Sequence, residues 1–159
     1  MTERMTRQGA LQLNRRTFIA GSGGGLLIAA LPAIARADEA ALIQARLELF
    51  GKRAIQEGRV TVELPPIAEN GHSVPLKVSV DSPMTADDHV KRIAVLSPRN
   101  PLPTIAQFHF GPRAGKAEVA TRIRLSGTQS IQAIAEMSDG SLWSGSMETV
   151  VALAACVGL

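Results

Sequence analysis

A chain of 159 residues has room for one compact domain beside a targeting segment, and with one Trp, four Phe and no Tyr its core has to be aliphatic. So few aromatic rings argue against a stacking platform for bases or sugars. The formal charge of +3 belongs to the N-terminus: five of the 17 Lys and Arg residues and one of the 14 acids lie within residues 1–37, leaving 12 cations against 13 anions. That balance speaks against nucleic acid as a partner of the mature domain.

In chain order, Asn14-Arg15-Arg16-Thr17-Phe18-Ile19-Ala20 comes first. Arg15 and Arg16 are followed by a polar residue, Phe and an aliphatic, the pattern of a bacterial twin-arginine export signal. Gly21 to Ile34 is too short, too rich in glycine and too interrupted by Pro32 to be a membrane anchor. Ala35-Arg36-Ala37 then offers a small-x-small cleavage site. Residues 1–37 are therefore expected to be a signal peptide cleaved near Ala37, giving a periplasmic protein that starts at Asp38. This route moves folded cargo, and a partner that folds with the chain and crosses beside it is the expected reason for using it.

Asp38 to Glu57 predicts a helix, with Ile43, Leu47, Phe50 and Ala54 on one face, Asp38 and Glu39 at its start and Gly58 as its stop. Beyond Gly58 the apolar period changes to two. Val60, Val62 and Leu64 alternate with polar residues, as do Val74 to Val80, Val119 to Leu125, and Ile131 to Met137, where Ile134 interrupts the polar side. Val90 to Leu96, Ile105 to Phe110 and Trp143 to Val151 are weaker strand candidates. Asn70-Gly71 and Asp139-Gly140 suit tight hairpins, and Pro98, Pro101 and Pro103 mark an irregular connection. The expected fold is mainly β, an immunoglobulin-like antiparallel sandwich preceded by one helix.

Chemistry-bearing clusters are scarce. His72, His89 and His109 share no metal-ligand spacing, and His109 between Phe108 and Phe110 reads as a solvated strand residue. Asp87 and Asp88 beside Thr85, and Ser138-Asp139-Gly140-Ser141, read as turns. No Gly-rich phosphate loop follows a strand, so neither metal nor cofactor is expected. Cys156 is the only cysteine. A spare thiol is unusual in an oxidising compartment, and near a chain end it could enter another protein's pocket and react with sulfur electrophiles. The residues leave a second reading open, a small hydrophobe closing the apolar run from Val150 to Ala155. A prenylation box, Cys156-Val157-Gly158-Leu159, is rejected because that chemistry is eukaryotic and cytosolic.

The mature chain also resembles a known family, SoxY, the sulfur-carrying subunit of the bacterial Sox thiosulfate-oxidation system. The likeness lies in the Arg pair of the leader, Pro66-Ile67-Ala68-Glu69-Asn70-Gly71 with Val74-Pro75, and Val78-Ser79-Val80-Asp81-Ser82-Pro83-Met84. It continues through Phe108-His109-Phe110, Thr121-Arg122-Ile123-Arg124-Leu125, Thr128-Gln129 and Glu136-Met137-Ser138-Asp139-Gly140. The resemblance implies a sandwich over residues 38–153 and a C-terminal arm over 154–159, with sulfur or thiosulfonate intermediates attached covalently to Cys156. It implies a heterodimer with SoxZ, a second small β-sandwich. It further implies delivery to a haem-containing sulfur transferase, a sulfate-releasing hydrolase and, in some systems, a sulfane dehydrogenase, the carrier having no turnover of its own. One departure falls on the arm. The family places glycine pairs around the cysteine, whereas here Ala154 and Ala155 precede it and Val157 and Gly158 follow, which predicts a stiffer, more apolar arm. A divergent paralogue that binds a partner or a sulfur compound is the alternative this departure suggests.

Overall fold

The computed structural model describes residues 33–155, with side chains placed from Glu39 onward. The leader pair Arg15 and Arg16, and Cys156, Val157 and Gly158 at the other end, lie outside the described residues. One helix, α1 (Ala33–Phe50), precedes nine strands: β1 (Ile55–Glu57), β2 (Val60–Glu63), β3 (Ile67–Asn70), β4 (Val74–Val80), β5 (Val90–Leu96), β6 (Thr104–His109), β7 (Ala117–Ile123), β8 (Gln129–Met137) and β9 (Leu142–Leu153).

The period-two runs build two facing sheets. The smaller has the order β2-β4-β7, and the larger the order β1-β9-β8-β5-β6 with β3 also paired to β9. Val74, Leu76, Val78 and Val80 point inward from β4 and meet Ile131, Ala133, Ala135 and Met137 of β8 in one aliphatic core. This is the expected sandwich with its preceding helix. Two pairings depart from the antiparallel rule: β1 and β3 each run parallel to β9. Between them the chain leaves for the other sheet as β2, pairing Val60 with Val80.

Ile134 interrupts the alternation of β8 because the larger sheet is buried on both faces. Ile134, Ala94, Leu96 and Leu142 project away from the sandwich core and pack under α1 against Ala45 and Phe50. The same double burial removes the alternation from β5, where Ile93 to Leu96 are all fully buried.

The helix differs from its expectation in extent, start and face. It begins at Ala33, across the expected boundary at 37, so Asp38 and Glu39 lie beyond the first turn, which holds no acid. It ends at Phe50 because Gly51 adopts φ 65° and donates its N–H to Leu47 O at 2.9 Å, a left-handed cap that closes the helix seven residues early. Ile55–Glu57, expected as helix, is β1. The buried positions are Ala45 and Phe50, with Leu42 and Leu49 partly buried. Ile43 and Leu47 are exposed, as is Ala54; of the expected face Phe50 alone is buried.

Asn70-Gly71 is also corrected. It joins β3 of one sheet to β4 of the other, so it is a crossover rather than a hairpin. Asp139-Gly140 does close the β8–β9 hairpin, with Gly140 at φ 85°, and the three prolines occupy the β5–β6 connection.

Candidate functional site

The stretch expected as an arm begins at the end of β9. The first eight residues of that strand pair with β8, as far as Thr149 opposite Gln129. Val150–Leu153 run past the start of β8 and are held by other parts of the chain. On one side β3 places Ile67 against Val150, Ala68 against Val151 and Asn70 against Leu153. Val150 donates its N–H to Pro66 O at 2.9 Å, and Thr149 Oγ1 donates to Pro65 O at 2.7 Å. On the other side Val151 donates its N–H to Thr128 Oγ1 at 3.0 Å.

The next residues meet the crossover. Gly71 donates its N–H to Leu153 O at 2.6 Å, Leu125 to Gly71 O at 2.9 Å, and Ala155 to Leu125 O at 3.0 Å. Three separate stretches of backbone thus converge where the described chain ends. Their spacing demands glycine at 71, for a Cβ there would overlap the Leu125 carbonyl and lie 3.0 Å from the Ala155 nitrogen. Ala154 is exposed and Ala155 half-buried.

A polar network fixes the neighbouring turn. Gln129, buried, accepts from Arg99 N at 3.1 Å and donates to Asn100 Oδ1 at 3.2 Å, while Asn100 Nδ2 reaches Arg124 O at 2.8 Å and Arg99 Nη1 reaches Thr128 O at 2.9 Å. Ser126 donates its N–H to Asn100 Oδ1 at 3.0 Å. Thr128 therefore presents its hydroxyl to β9 from a turn that is itself bound on both sides. Beside this turn a cleft of about 420 Å³ opens between β6 and β7, lined by Pro101, Leu102, Ile105 and Ile123 and flanked by Arg122 and Arg124. Arg122 donates to both oxygens of Ser73, at 2.5 Å to the hydroxyl and 2.9 Å to the carbonyl. Around the root of the arm, Ile67, Val150 and Leu153 are exposed, Leu153 by 68%.

Of the site residues expected from sequence, the structure places Ala154 and Ala155. Gly71 was legible as a turn residue, Leu125 as part of an alternating run and Thr128 as part of a resemblance; their convergence on β9 is a tertiary fact that no local pattern announces. The histidines stay apart: His72 and His109 are exposed, and His89 Nδ1 lies 3.1 Å from Thr85 O. No group of three or more His, Cys, Asp or Glu side chains gathers among the described residues, and no described helix is long and apolar enough to cross a membrane. Asp87 and Asp88 belong to a turn in which Thr85 Oγ1 accepts the Asp88 N–H at 3.1 Å.

An acid with a lowered pKa lies elsewhere, between sheet and helix. Burial alone would raise Glu136, but hydrogen bonds from Arg53 and Arg92, both at 2.8 Å, outweigh it and hold the carboxyl below its ordinary range. The same guanidinium groups donate to Phe50 O at 3.0 Å and Leu49 O at 2.9 Å, and Arg92 lies 4.7 Å from the Phe50 ring centre. This cluster fastens the helix C-terminus to the sheet and is structural.

Fold and site together define a small β-sandwich that binds its own backbone as far as Ala155, the residue before the sole cysteine. The chain belongs to the SoxY family: the sequence model of sulfur oxidation protein SoxY matches residues 46–156. The solved sulfur carrier protein SoxY from Chlorobium limicola f thiosulfatophilum is similar at 28% identity and a TM-score of 0.64, over 74% of this chain and 97% of that one. A superoxide reductase (neelaredoxin) variant from Ignicoccus hospitalis shares the fold alone, at 20% identity and a TM-score of 0.53 over 74% of this chain and 90% of that one. No curated protein is significantly similar in sequence.

Proposed function

We propose that this protein is a periplasmic covalent sulfur carrier in thiosulfate oxidation, with Cys156 as the point of attachment. The observation that supports this best is the extent of the family match, which runs to residue 156 and so takes in the cysteine itself. The solved relative of similar fold is a sulfur carrier, and the pole of this domain holds the preceding residue in a fixed place.

The chemistry is that of a thiolate. Cys156 attacks the outer sulfur of thiosulfate, and a disulfide bond forms as two electrons leave for the haem of a partner transferase, giving Cys156–S–SO₃⁻. A hydrolase then adds water to the sulfonate sulfur; the S–S bond to that sulfur breaks, sulfate and two protons depart, and a persulfide remains on Cys156. A sulfane dehydrogenase would oxidise that remaining sulfur. The chain contributes the nucleophile and its presentation; turnover belongs to its partners. A SoxZ-like sandwich completes the carrier, and the twin-arginine leader carries the two across together.

The test is intact mass of the exported protein before and after reduction, together with Cys156→Ser in cells lacking a second carrier. Adducts that reduction removes, and thiosulfate oxidation abolished by the substitution, are the expected results. Oxidation that continues in the Ser variant would overturn the assignment. Persistent binding of partner or sulfur compound without adducts would favour the divergent paralogue that Ala154, Ala155 and Val157 suggest.

A further inference from the structure

An arm that presents a thiol to several enzymes is only as long as its free part. The backbone bonds at the pole fix where that part begins. Val150 is held by Pro66 O, Val151 by Thr128 Oγ1, Leu153 O by the Gly71 N–H, and Ala155 N–H by Leu125 O. The last of these reaches the residue immediately before the cysteine. Gly71 contacts both ends of the grip, since it bonds Leu153 and Leu125 at once, and its missing side chain is what lets Leu125 O and Ala155 N approach.

We propose that Gly71, Leu125 and Thr128 form a clamp that holds the root of the arm as far as Ala155. The functional meaning rests on Cys156 as the carrying thiol; the clamp itself does not. Its consequence is a short reach. With adjacent Cα atoms 3.8 Å apart and a short side chain beyond, the Cys156 sulfur stays within about 7 Å of Ala155 Cα. Gly71, Leu125 and Thr128 act through the arm and are positioning residues.

Cys156 is the only cysteine, so a nitroxide attached to its thiol reports the arm of the full chain without further engineering. In the parent the label is expected to be restricted. Ala155→Pro removes the N–H that Leu125 O accepts and touches no core residue; label motion should rise, the Gly71 amide should exchange about fivefold faster, the loss of one net hydrogen bond, and the thermal midpoint should hold. Gly71→Ala should release the label as well, and if that variant does not fold, Ala155→Pro decides alone. A label in the parent as mobile as one on a free peptide of residues 150–159 would overturn the clamp, as would a restricted label that Ala155→Pro leaves unchanged. A purely structural role for these residues would move the midpoint and leave the label alone. Label motion is read on the purified, reduced chain with no partner enzyme or sulfur compound present, so a failed clamp and a failed carrier assignment give separate results.

Discussion

The helix attachment and the arm root hold their segments by opposite means. At the helix, one carboxylate, Glu136, binds two guanidinium groups that also donate to the last carbonyls of α1, and the Phe50 ring packs beside them. At the arm root the bonds join neutral amides, carbonyls and one hydroxyl, and the fit depends on an absent side chain at Gly71. Charge tolerates imperfect placement, because long side chains adjust to reach each other. Backbone bonds between three converging stretches do not adjust, and they deliver a position instead. A helix that only has to cover a face can be held by the first means; a segment that has to keep one fixed position calls for the second.

The largest effect expected from breaking this contrast is at the charged cluster. Glu136→Ala leaves Arg53 and Arg92 without their shared carboxylate in a partly buried place, and should cost about 2–3 kcal/mol in urea unfolding. The arm root should not notice: amide exchange at Val151 and Ala155, referred to global stability, is expected to stay as in the parent. Gly71→Ala comes next, at about 1–3 kcal/mol, because the Leu125 carbonyl has to move. Here the order is reversed, with the arm loosened and the helix cluster intact. A Gly71→Ala chain whose arm amides are as protected as before would show that the crossover absorbs a methyl group without yielding, and the difference between the two regions would collapse.

The parts legible in the sequence were those with a local period. Val74 to Val80 and Ile131 to Met137 read as strands because one face of each is buried, and the hairpin at Gly140 followed from its φ requirement. Where burial was two-sided or the partner distant, the pattern gave less. Ile134 looked like an interruption since nothing local says that a helix lies over that face. Ile43 and Leu47 shared a helical period with Phe50, yet which stripe faces the sheet is decided by Phe50 and the Gly51 cap. At the candidate site, Cys156 stood out by count, and Ala154 and Ala155 by their departure from glycine. Gly71 was visible as a turn residue, but its contact with residues 54 and 84 positions further along exists only in three dimensions.

Acid should separate the two regions less drastically. The Glu136 carboxyl is held below its ordinary 4.5 in the folded chain, so its contribution is fully present above about that pH and is lost as pH falls through the lower, folded value. Asp139, lowered by its bonds to Ser141, loses its contribution in the same direction. Unfolding midpoints measured from pH 6 downward should therefore decline, and Glu136→Gln should flatten that decline, while Gly71→Ala should run parallel to the parent. A Gln variant that follows the parent slope would remove Glu136 as the source of the acid sensitivity.

Thr128→Val is the smallest change and the sharpest. Valine keeps the shape of threonine and removes the oxygen that accepts the Val151 N–H. Thr128 is only half-buried, so water can replace part of the lost bond, and a cost of about 1 kcal/mol is expected. Neighbouring amides make the test internal. Val150 bonds Pro66 O on the opposite edge of the same strand, so exchange should quicken at Val151 and stay unchanged at Val150. If both quicken together, β9 opens here as one unit and the root is held cooperatively by β3. If Val151 responds alone, each bond at the pole fixes its own residue, as a clamp made of separate backbone contacts requires.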